Sequence, residues 1–167
     1  MIQYSLAIGI GIICIITGAF LGWYSTGHKY CVELENCYKL EKKNREIIRI
    51  YDVWMMNHAL GRSVGSYLSE QNIRSVAIYG MSALGIRLYY ELKNHGDVTV
   101  EFALDQNPQT ELPDAAIYKL DMEPKVQVDA VIVTAIFSYD AIKRDLKKRG
   151  YTKIFALDEI LYEMLRI

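Results

Sequence analysis

The chain carries almost no net charge. Its 19 basic and 20 acidic side chains leave a formal charge of -1, so no global field recruits nucleic acid or an acidic partner. Cysteine is scarce too: of three in 167 residues, Cys14 sits in an apolar run, while Cys31 and Cys37 are separated by five residues of polar sequence. That usage excludes a disulfide framework and matches no metal-ligand spacing. A Walker lysine, a nucleophile elbow and a metal-ligand cluster are also absent, which removes the commonest routes to independent catalysis. The length suits one globular domain with extra segments outside its core, and leaves no residues for a separate substrate domain.

Charge is missing altogether from residues 1–27, "MIQYSLAIGIGIICIITGAFLGWYSTG". From about Tyr4 to Tyr24 the run is almost wholly apolar, the length of a helix that crosses a bilayer. A cleavable signal peptide would want a basic leading region, a shorter apolar core and a small-x-small site, and only the α-amino group is basic here. Lys29, Lys39, Lys42, Lys43 and Arg45 all follow the run. They predict a single-pass cell-membrane protein with its N-terminus outside and its globular domain in the cytoplasm. Gly18 and Gly22 form a small-residue pair one turn after Cys14, a stripe on which two spans can pair into a homodimer.

Residues 28–72 read as a helical connector. From Cys31 to Ala59 there is no Gly or Pro, and Cys37, Leu40, Asn44, Ile47, Tyr51, Trp54 and His58 recur at spacings of three and four. This heptad-like stripe has two readings: a short parallel coiled coil, or a helix whose second half packs Ile47, Tyr51 and Trp54 on the domain. Gly61 ends the helix, and a short helix over about Ser63 to Gln71 follows. His58, at the edge of the stripe, has no obvious partner nearby in sequence.

Residues 73–167 alternate β-prone runs with helical patterns. The runs are 75–79, 98–104, 115–120, 129–134 and 153–157. Helices are expected over about Leu84 to Lys93, Tyr139 to Arg149 and Asp158 to Arg166, with Ser138 as the N-cap of the second and Gly150 as its stop. Runs one, four and five are continuously apolar, as strands covered on both faces are. Such alternation implies an α/β domain with a five-stranded parallel Rossmann-like sheet in the order 3-2-1-4-5.

"GMSALG", residues 80–85, follows the first strand and opens a helix. Gly80, Ser82 and Gly85 hold the three positions of a dinucleotide-binding turn. The first glycine makes the bend, the second admits a pyrophosphate and the third allows helix and strand to pack closely. Ser82 puts a Cβ at the second position. Asp105, twenty residues after Gly85, lies where a carboxylate accepts hydrogen bonds from ribose, and equally where an aspartate caps a turn. The candidate ligand-binding residues are therefore Gly80, Met81, Ser82, Gly85 and Asp105, joined by Thr134 and Ala135 from the loop after the fourth strand, where Ser138 also faces the crevice. Tyr89 and Lys93 have a reductase-like spacing, but they lie on the flank of the sheet.

The stretches "IRSVAIYGMSALGIRLYYEL", "VEFALDQNP" and "VDAVIVTAIFSYDAIKRDLKKRGYTKIFALDEIL" resemble the small Rossmann-type domains of bacterial surface-polysaccharide biosynthesis proteins. Those include the N-terminal domain of CapD-like nucleotide-sugar epimerases and the CoA-binding-like domains. The resemblance spans about residues 50–167, with "GMSALG" where bare-domain members often have "GMGELG". It implies NAD(P) or a nucleotide sugar as ligand, and a role with polysaccharide-synthesis proteins at the inner face of the membrane. Three functions remain open: a membrane-anchored binding module, an NAD-dependent sugar-nucleotide enzyme completed by a partner chain, and a scaffold without a ligand.

Overall fold

The computed structural model describes the backbone of residues 2–108, 111–122, 124 and 126–166, and their side chains except those of 2–16 and 25. Five short strands make one parallel sheet: β1 (Ser75–Tyr79), β2 (Thr99–Leu104), β3 (Ile117–Tyr118), β4 (Ala130–Val133) and β5 (Ile154–Ala156). Their order is β3-β2-β1-β4-β5, as the alternating pattern predicts. In register, Tyr79 at the end of β1 lies between Leu104 of β2 and Val133 of β4. The β1–β2 register slips between Val76 and Ala77, skipping Glu101. Glu101 stays in solvent while Phe102 is buried. β3 is shorter than the expected 115–120, an edge strand that pairs only with Ala103 and Leu104.

Helices cover the two faces unequally. The C-terminal end of α1 (Ile2–Ala59), α2 (Val64–Glu70), α3 (Ala83–His95) and α5 (Leu157–Arg166) bury Trp54, Leu68, Leu88 and Leu161 on one face, against Val76, Ile78 and Ile132. On the other, α4 (Tyr139–Lys148) supplies Ile142 and Leu146 against Ala77, Val131 and Val133. α3 runs two residues beyond the expected Lys93 and stops at Gly96, whose φ of 71° and amide bond to Leu92 O form a left-handed cap. Ser138 precedes α4 at the end of a 3-10 turn (Ile136–Ser138), and its side chain makes no cap hydrogen bond. The tight lead-in replaces the expected cap.

The chain divides into two compact units, Met1–Arg49 and Ile50–Ile167. In the first unit, helical turns carry surface pairs Glu35–Lys39 at 2.6 Å and Glu41–Arg45 at 2.5 Å. In the second, the face of α1 that packs is Ile50, Trp54 and Asn57, all buried, with Tyr51 half-buried and stacked on Trp54. That face is rotated from the expected Tyr51–His58 stripe. A straight helix has 3.6 residues per turn and drifts away from a 3.5-residue repeat.

The expected membrane span is corrected. Much of it falls on residues 2–16, whose side chains lie outside the described set, as does Cys14. Among the described residues no helix is long and apolar enough to cross a membrane. After Thr17–Tyr24 the helix meets His28, Lys29, Glu33 and Glu35, and a window of about 20 residues containing these charges is too polar for a hydrocarbon core. The single-pass placement, with the N-terminus outside and the domain in the cytoplasm, falls with the span. Pairing through a Gly18–Gly22 stripe loses the bilayer setting in which it was expected.

Candidate functional site

In parallel sheets of this kind the crevice opens beyond the carboxyl ends of the strands, where the order reverses. Here that point lies between β1 and β4, and "GMSALG" crosses it. Gly80 has φ +96°, a conformation strained for any residue with a Cβ, and its amide donates to Leu104 O at 2.8 Å. A Cβ built on Gly80 would lie 2.9 Å from Thr134 Oγ1 and 3.2 Å from Ala135 N. One built on Gly85 would lie 2.0 Å from Gly80 O. The first and third glycines are thus required by the turn and by the approach of α3 to it. Ser82 takes the N-cap position of α3 in extended backbone, makes no side-chain cap bond and is exposed.

Asp105 and Thr134 are turned toward the turn itself. Met81 N donates to Asp105 Oδ2 at 2.6 Å, and Asn107 N donates to Oδ1 at 2.8 Å. Thr134 is 2% exposed, and its hydroxyl donates to Gly80 O at 2.5 Å and lies 3.2 Å from Tyr79 O. It latches β4 to the turn instead of lining the crevice as expected. Ala135 backs Gly80 and stays half-buried. The structure therefore brings Gly80, Met81, Gly85, Asp105, Thr134 and Ala135 together, with Ser82 on their rim.

What remains open is a cleft of about 130 Å³, bounded by Gly80, Asp105, Gln106, Ala135 and Ser138, with Tyr79 and Ile142 at its base. It is smaller than the roughly 300–1,000 Å³ that buries a whole drug-sized ligand. Burial pushes the Tyr79 phenol up, a hydrogen bond with Gln106 opposes this, and Asp105 and Asp145 add to the rise. Gln106 escapes sequence reasoning, because β-strand alternation ends at Leu104 and does not tell which way the next side chain turns. No lysine or arginine lines the cleft among the described residues. The first turns of α4 and α5, which start at the same end of the sheet, carry Asp140, Asp158 and Glu159.

Other titratable groups have structural duties. His58 does have a partner, distant in sequence: its Nε2 lies 3.1 Å from Glu91 Oε2, and the same buried carboxylate accepts from Trp54 Nε1 at 2.5 Å and Val64 N at 2.7 Å. Lys93 pairs with Asp114 and sits 6.0 Å from the Tyr89 ring centre, in a hollow of about 240 Å³ beside the start of β2, away from the crevice. A broader hollow of about 850 Å³ lies at the opposite end of the sheet. Two of its walls, Asp129 and Arg149, are engaged in holding the fold: Asp129 accepts from Arg74 N and Ser75 N, and Arg149 bonds Leu120 O and Asp121. Among the described residues no group of His, Cys, Asp or Glu is placed to hold a metal ion. No family model, no curated protein and no solved structure matches this chain.

Proposed function

We propose that residues 50–167 form a non-catalytic binding module whose crevice takes a nucleotide-type ligand, accessory to surface-polysaccharide biosynthesis. One observation carries the binding part: the Asp105 carboxylate lies against the Gly80–Gly85 turn at the mouth of a cleft, 2.6 Å from Met81 N. The polysaccharide part is supported by the resemblance of the quoted stretches alone. No nucleophile, base and orienting group converge in the cleft, which favours holding a ligand over transforming it.

A second reading, a ligand-free scaffold, is favoured by a different observation. Asp105 Oδ2 and the Thr134 hydroxyl already have partners inside the turn, and Asp105 Oδ1 is held by Asn107 N of its own loop. Calorimetric titration of the full chain with NAD(H), NADP(H), CoA and UDP-sugars separates the two. Saturable binding that is lost in Asp105→Ala supports the module. Silence across all four classes supports the scaffold, and turnover of a UDP-sugar by the chain alone overturns both.

A further inference from the structure

Resting on the binding reading above, we infer that the crevice takes the ribose of a nucleoside through its vicinal hydroxyls, and that no pyrophosphate seats on the glycine turn. The first ground is the direction of Asp105. Its Oδ2 already lies 2.6 Å from Met81 N, so a carboxylate, and not a phosphate oxygen, takes the amide that follows Gly80. A carboxylate offers about four lone-pair directions. Two are used by Met81 N and Asn107 N, and two remain for donors. Ribose hydroxyls donate; a phosphate oxygen at neutral pH does not.

Electrostatics around the cleft point the same way. The Arg149 charge is felt by Tyr79 at its base, but among the described residues no lysine or arginine lines it, and Asp140, Asp158 and Glu159 open the neighbouring helices at that end of the sheet. Lys143, on α4, is held 4.8 Å from the Tyr139 ring centre and interacts with Glu159 and Asp140. A diphosphate there would lack the basic groups that usually neutralise one. Size agrees as well, since about 130 Å³ admits a sugar ring and leaves a dinucleotide outside. Ser82 adds a Cβ where the pyrophosphate-binding turn has glycine.

The test is calorimetry on the full chain with uridine and adenosine, their 2′,3′-dideoxy forms, and UDP and ADP. The inference expects each diphosphate to bind within about threefold of its nucleoside, and the dideoxy forms to bind at least about tenfold more weakly. A diphosphate more than about tenfold tighter than its nucleoside, or dideoxy forms that bind equally well, overturns it and leaves the binding module intact. Silence with every probe overturns both. In Asp105→Asn, whose amide oxygen can still accept from Met81 N, the ratio of diphosphate to nucleoside affinity should rise at least about tenfold as the charge is removed. An unchanged ratio counts against the inference even where the nucleosides bind.

Discussion

A Cβ on Gly85 would meet the Gly80 carbonyl oxygen at 2.0 Å, whereas one on Gly96 would meet nothing within 4 Å. Both glycines invite substitution by alanine, and the contrast separates two physical costs. Gly85→Ala must push α3 off the turn and should lower stability by on the order of 3 kcal/mol. Gly96→Ala pays only for its left-handed φ, about 1 kcal/mol. Urea unfolding of the two variants checks the order, and equal losses would refute the close approach. Thr134→Val keeps the shape and removes the hydroxyl that satisfies Gly80 O, so a loss of about 1–3 kcal/mol is expected from the same measurement. The two outer glycines were legible from spacing alone, because G-x-x-x-x-G after a strand states a steric demand. The direction of Asp105 was not legible: both a ribose acceptor and a turn cap place an aspartate there.

Asp129 supplies the pH dependence at this scale. Amides of Arg74 and Ser75 hold its carboxyl below the ordinary value of 3.8. A depressed carboxyl stabilises the fold above its unfolded value, and that contribution disappears as pH falls through the folded one. The stability difference between the natural chain and Asp129→Asn should therefore be constant from about pH 5 to 7 and shrink below about pH 4. A difference that instead grows on acidification would show that the amides do not favour the charged form.

At the level of elements, Glu91 joins three helices. From α3 it receives Trp54 Nε1 and His58 Nε2 of α1 and the first amide of α2, and its side chain is only 5% exposed. Glu91→Leu strands buried donors and should cost about 3 kcal/mol or more, with Trp54 fluorescence shifting as the end of α1 loosens. A variant as stable as the natural chain would mean that water replaces the carboxylate. This junction could not be read from the sequence. His58 and Glu91 are 33 residues apart, and neither helix pattern marks a charged residue as buried. The strands behaved differently. β1, β4 and β5 are short and continuously apolar, and that composition needs two covered faces wherever the chain goes.

For the whole molecule, both apolar clusters lie within Ile50–Ile167. A fragment of residues 46–167 should accordingly unfold cooperatively with a denaturation midpoint close to that of the full chain, while losing helical circular dichroism in proportion to the missing residues. A midpoint far below that of the full chain would mean that residues 1–45 contribute to the core. The apolar N-terminal run shows where linear reading overreached. Its length matched a bilayer span, but the helix continues without a break into charged turns, and none of its described stretches combines the length and apolarity that a span requires.

Strand number, parallel order and the need for glycine at 80 and 85 were settled by local composition and spacing, because backbone sterics and the burial of apolar runs act wherever those residues occur. Where Asp105 points, that Thr134 bonds the turn, that Glu91 gathers three helices, and how little room is left beside Ser138 depended on side chains meeting across distant segments. Such meetings are set by packing, which periodicity cannot encode.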